Sequence, residues 1–236
     1  MSYPLYIFFG VLPSVIWLLF YLRKDSHPES NRMVLKIFFF GMLVALPAIL
    51  LEIGAFEVLE KLILSPALLL IINIFFGVAL VEESLKYLVI KVKVLSNAEF
   101  DEPLDVVLYM IIAALGFAAL ENILILFSLG PNFLLREAFL ISLLRFLGAT
   151  FLHALCSGVL GYFLALSFFD TKNRIKLFFL GLGIAVFLHG LYNFSIIEIE
   201  GNLKFLIPAI ILIGLAIFLT FGFKRLKKMK SVCKIK

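Results

Sequence analysis

Seven stretches of about 20 apolar residues, joined by short polar connections, leave this 236-residue chain few ways to fold. A bilayer core of roughly 30 Å asks for a helix of that length, and lipid accepts no open backbone. The runs fall at 3–22, 33–51, 62–92, 104–129, 137–168, 176–197 and 203–223. Those at 62–92 and 137–168 exceed one crossing, so they must tilt or project into water. With 63% hydrophobic and 16% charged residues, and no connection able to hold a soluble domain, the chain reads as all-α. It is expected to be a polytopic transmembrane helical bundle in a cell membrane, one domain over 1–236.

The cations orient this bundle. Arg23, Lys24, Arg32 and Lys36, then Lys91 and Lys93, then Lys172, Arg174 and Lys176, and finally the tail from Lys224 to Lys236 fall on alternate connections. The intervening ones hold only Lys61, Arg136 and Lys204, and Glu52, Glu57 and Glu60 mark 52–61 as an outer loop. The N-terminus is therefore expected outside and the basic tail, 224–236, in the cytoplasm. A net charge of +5 would suggest nucleic acid only if topology were ignored. The run KRLKKMK is better explained as a stop-transfer anchor against anionic headgroups, and no nucleic-acid partner is expected. Met1–Phe20 lacks the basic start and small-residue cleavage site of a removable signal, so it is expected to stay as the first span. Cys156, within a span, and Cys233, in the tail, cannot form a disulfide framework.

Against this background the stretch VEESLKY, Val81–Tyr87, stands out. Charges at membrane depth are costly, so three in five residues require partners or a wet cavity. Glu82 and Lys86 are i,i+4 and Glu83 and Lys86 are i,i+3, so the lysine can reach either carboxylate. The adjacent glutamates point about 100° apart, which lets one face a site while a neighbouring helix holds the other. Asn73 lies earlier on the same span.

The next three spans each add polar groups. GFAALEN, Gly116–Asn122, presents a small-residue face followed by Glu121 and Asn122. Arg145 precedes His153 by about two turns, placing both on roughly one face, with Ser157 following. The arginine is a natural counter-ion for a glutamate of span three or four. HGLYN puts His189 and Asn193 at i,i+4, where an imidazole can donate or ligate and an amide can donate to an oxyanion. Bland readings stand beside these: Glu82 or Glu83 paired structurally with Lys86, Asn122 as interhelical glue, and Arg145 as a structural ion. Glu99–Asp105 with Pro103 suits a helix start, Phe38–Phe40 reads as lipid-facing filler, and His27 has no evident partner.

The order EExxK (Glu82, Glu83, Lys86), FxxxEN (Phe117, Glu121, Asn122), His153 and HxxxN (His189, Asn193) resembles the PrsW family of intramembrane proteases. That family sits within a superfamily of CAAX-prenyl endopeptidases and bacteriocin-processing enzymes. The resemblance covers Val81–Asn193 and also takes in the DEPLD element, giving a motif-bearing core at 62–197. It implies an active site inside the membrane and a membrane-anchored protein substrate. PrsW-type members are linked to the first cleavage of membrane-bound anti-sigma factors. The prenyl enzymes use a glutamate with a histidine to activate water and a His/Asn pair for the oxyanion. Carried over, Glu82 or Glu83 would be the base, His189 with Asn193 the oxyanion side, and His153 would hold or share the water.

Two departures matter. The prenyl enzymes carry EExxxR where this chain has EExxK, and a histidine where it has Glu121–Asn122. A zinc ion held among Glu82, Glu83, His153 and His189 and a metal-free glutamate mechanism both suit the residues, since no HExxH is present. Two other classes use similar groups: a proton-coupled transporter, against which the absence of an internal repeat counts, and a non-catalytic scaffold of the same superfamily.

Overall fold

The computed structural model describes residues 3–25, 28–95, 97, 100, 102–130 and 134–229. Expectations that fall on His27, Glu99, Asp101 and Cys233 lie outside these residues, as does the end of the basic tail. The described chain is helical, and seven of its helical stretches are long and apolar enough to cross a membrane.

Span one is α1, Tyr3–Leu22, and span two is α2, Asn31–Leu62. The side chain of Ser30 caps α2 by accepting from the Met33 amide at 3.2 Å. At 32 residues, α2 is about 48 Å long. It runs straight through 52–61, so that segment is helix and not a loop. Glutamate is a good helix former and no proline interrupts it there. Within α2, Phe39 faces outward, but Phe38 and Phe40 pack on the core, which corrects the filler reading for those two.

Span three is broken locally. Ser65 and Pro66 start α3, Pro66–Ile72, which passes through a π-helical turn, Asn73–Ala79, into α4, Leu80–Lys93. Such wide turns are rare and frequently accompany functional sites. Span four is α5, Pro103–Ser128, whose N-terminus carries a capping box between Glu102 and Asp105. Span five bends at Gly148 into α6, Leu135–Leu147, and α7, Ala149–Phe169. A Cβ at Gly148 would strike the Tyr192 hydroxyl, so the break is also a point of close approach. Its two parts resolve the excess length of 137–168. Spans six and seven contain α8, Arg174–Glu198, and α9, Leu203–Leu226.

The bundle is organised around α5, which is buried almost along its whole length. Its neighbours are chiefly α7, α2 and α1. Small residues make this possible: Gly41 of α2 lies on the Ala113 carbonyl, and Gly116 of α5 lies on the Phe38 carbonyl. Outer helices turn Leu50, Leu62, Phe179 and Ile210 toward the surroundings, as lipid contact requires. The centre of the bundle is thus protein on all sides, and the polar residues of α4, α5, α7 and α8 converge there.

Candidate active site

On α4 the side chains of Glu82, Glu83 and Lys86 are all buried. The Lys86 ammonium donates to Glu82 Oε2 at 2.9 Å and to Glu83 Oε1 at 2.8 Å. It also lies 2.8 Å from His153 Nδ1 on α7 and 4.4 Å from the Phe117 ring centroid. An ammonium only donates, so His153 Nδ1 must accept, which places the imidazole proton on Nε2. That nitrogen lies 2.9 Å from Glu121 Oε2 on α5. Glu121 therefore fixes which face His153 presents to the site.

His189 on α8 is oriented in the same manner. Its Nδ1 lies 3.1 Å from Glu83 Oε1, leaving Nε2 directed toward Glu82 Oε2 at 3.9 Å. The two imidazole rings meet edge to face with centroids 5.0 Å apart. Gly190, beside His189, leaves the space that Phe75 of the π turn occupies. Glu83 is saturated, because Ser157 Oγ donates to its second oxygen at 2.7 Å. Glu82, by contrast, uses only Oε2, and its Oε1 makes no hydrogen bond among the described residues.

A second layer ties this cluster to the rest of the bundle. Arg145 at the end of α6 reaches Glu121 Oε2 at 2.9 Å and also donates through Nε to Asn122 Oδ1. Asn122 donates in turn to Thr150 Oγ1 at 3.0 Å and to the Gly10 carbonyl at 3.2 Å. Arg145 and His153 do not lie on one continuous helix face, because Gly148 intervenes, yet they meet through the same carboxylate oxygen. The side chains of Glu121 and Arg145 are 32% and 18% exposed, so the cluster opens outward on their side. Asn193, one turn past His189, is half-buried and makes no hydrogen bond among the described residues.

One participant escaped the sequence reading. Glu52, assigned above to a loop, continues the α2 packing face of Gly41, Ala45 and Ala48. Ala45 and Ala48 pack with Phe117, and Glu52 lies one turn further on, within electrostatic reach of Glu82, Glu121 and Lys86. The three-and-four spacing of those small residues was the available signal.

The donor set suits a divalent ion. Glu82, Glu83, His153 and His189 each offer one ligand atom, all within 4.8 Å of one another. Glu82 Oε2, His153 Nδ1 at 3.5 Å from it, and His189 Nε2 are the atoms turned inward. Each histidine is backed by a carboxylate on its other nitrogen, the outer-shell arrangement that orients metal-binding imidazoles. Glu82, Glu83 and Glu121 outnumber the two cations, Lys86 and Arg145, so the cluster keeps a net negative charge that favours a cation. The Lys86 ammonium contacts two of the three inward atoms and therefore competes with such an ion for them.

A polytopic helical protein that buries paired carboxylates and carboxylate-backed imidazoles among its spans has the architecture of an intramembrane hydrolase. Comparison with known proteins specifies which. Residues 29–221 match the model of the PrsW family intramembrane metalloproteases, and the chain belongs to that family of proteases. It is 30% identical over 225 residues to Protease PrsW of Bacillus subtilis (strain 168), covering 94% of each chain. It is 32% identical over 192 residues to Protease PrsW of Geobacillus kaustophilus (strain HTA426), covering 81% of this chain and 79% of the relative. With Protease PrsW of Clostridioides difficile (strain 630) it shares 28% over 209 residues, 86% and 84% of the two chains. No solved structure matches.

Proposed function

We propose that the chain is an intramembrane endopeptidase that cleaves membrane-anchored proteins at the Glu82–His153–His189 cluster. The observation that carries this reading is the convergence of Glu82 Oε2, His153 Nδ1 and His189 Nε2 in the buried centre of the bundle, each imidazole braced by its own carboxylate. Those three residues would hold the metal, with Glu83 and Glu121 behind them. Bound there, the ion would polarise the scissile carbonyl and acidify the attacking water.

The protein's own groups do the remaining work. Glu82 Oε1, which makes no hydrogen bond among the described residues, takes the proton from water and returns it to the leaving amine. Glu83, saturated by Lys86, His189 and Ser157, keeps His189 in the tautomer with an open Nε2. Because that Nε2 carries a lone pair, the oxyanion donor is the Asn193 amide. The substrate helix enters on the Glu121–Arg145 side and unwinds, since its own backbone bonds shield the scissile carbonyl. The cation distribution supports an N-terminus outside, with one membrane domain over 1–236 and its chemistry in 62–197.

The test compares newly formed protein termini in membranes of cells expressing wild type or Glu82→Gln/Glu83→Gln at matched levels. Termini within or beside single-span helices that appear only with wild type are the expected result and name the substrates. No difference, with both proteins folded, would favour a scaffold or a carrier.

A further inference from the structure

On the far side of α7 from the cluster, α1 and α9 leave a groove of about 560 Å³ between them. Its floor and walls are apolar and built from Trp17, Phe20, Phe146 and Phe151. Trp17 stacks on Phe151 with centroids 4.0 Å apart and donates to the Phe146 carbonyl at 2.8 Å, so the floor is fixed. Three lysines, Lys24 of the α1 end and Lys224 and Lys227 of the α9 end, ring one mouth. None of them makes an ion pair among the described residues. At that end Tyr21 and Phe223 close the helices together, 6.2 Å between centroids. Away from it, the groove runs on into a second apolar hollow of about 550 Å³ that reaches Ala209.

We propose that this groove is a binding site for one anionic phospholipid, its phosphate among Lys24, Lys224 and Lys227 and its acyl chain along α9. The dimensions agree. From Lys224 to Ala209 the helix rises about 22 Å, against roughly 20–22 Å for one leaflet with its headgroup. A volume of this size falls in the range of small-molecule sites of about 300–1,000 Å³. The chemistry agrees as well: basic pockets between transmembrane helices take acidic headgroups, and each lysine adds to the attraction. A substrate helix is the other conceivable occupant, and the geometry disfavours it. Phe151 lies about 200° around α7 from His153, so a helix docked here would face away from the cluster.

Native mass spectrometry of the delipidated full chain in detergent, titrated with phosphatidylglycerol or phosphatidylcholine, tests the assignment. Wild type is expected to retain one phosphatidylglycerol in preference to phosphatidylcholine. Lys24→Gln/Lys224→Gln/Lys227→Gln should weaken that binding by roughly a hundredfold, from the per-lysine attraction to anionic lipid. The control Lys172→Gln/Arg174→Gln/Lys176→Gln should leave it intact. Ala216→Phe, which fills the groove without removing a cation, should also abolish retention. Equal weakening by the control triple, survival of binding in Ala216→Phe, or no preference for the anionic lipid in wild type would each overturn the site.

Discussion

Replacing Lys86 by methionine keeps the length and apolar stem of the side chain and removes only the ammonium. In the structure that ammonium is fully buried and sits within 2.9 Å of Glu82, Glu83 and His153. Removing one partner of a buried ion pair costs about 3–5 kcal/mol, because the other charge is stranded. Glu83 retains His189 and Ser157, so the burden falls on Glu82 and the lower figure applies. For a chain of this length each kcal/mol moves Tm by about 2–4 °C, which gives a drop of roughly 6–12 °C at about 3 kcal/mol. The assay is thermal melting of wild type and Lys86→Met in the same detergent with chelator present. Glu82→Gln/Lys86→Met removes the stranded charge and should recover most of the loss. Added zinc should raise the Tm of Lys86→Met more than that of wild type, since the ion then meets no competing ammonium. A single-variant Tm within about 2 °C of wild type, or no recovery in the double variant, would refute the reasoning.

Asn193→Ala should lower kcat by about 10²–10³-fold while leaving melting unchanged, because the amide makes no hydrogen bond among the described residues. An unchanged kcat would remove it from the reaction. Glu121→Gln keeps the shape but not the charge shared by His153 and Arg145, and should weaken metal binding by about 10–100-fold. Equal affinity in a direct titration with zinc would show that His153 needs no such orienting group.

The spans and the acid–histidine motif were legible because lipid imposes length and punishes isolated charge, both of which a sequence displays directly. The breaks within spans were not. Hydropathy reports what a residue touches and not how the backbone turns, so the π turn at Asn73–Ala79 and the bend at Gly148 are silent in apolar surroundings. The same limitation hid Glu52: a carboxylate after an apolar run looks like the end of a span, although the helix continues through it. Arg145 and His153 were expected to share roughly one face, with Arg145 as counter-ion to a glutamate of span three or four, and the pair with Glu121 meets the second expectation. Arg145 and His153 meet across helices, at Glu121, a relation that only tertiary packing creates.

The spacing of Lys86 from its carboxylates has a consequence for how the protein is made. A charge at the centre of a segment leaving the translocon costs about 2.5–3.5 kcal/mol. Both partners of the lysine lie on its own helix, three and four residues earlier. The pair can therefore close inside the nascent segment before any other helix arrives, so span three enters the bilayer with one net negative charge in place of three separate ions. Arg145 and Glu121 sit on successive spans, and they neutralise each other only when those two insert together as a hairpin.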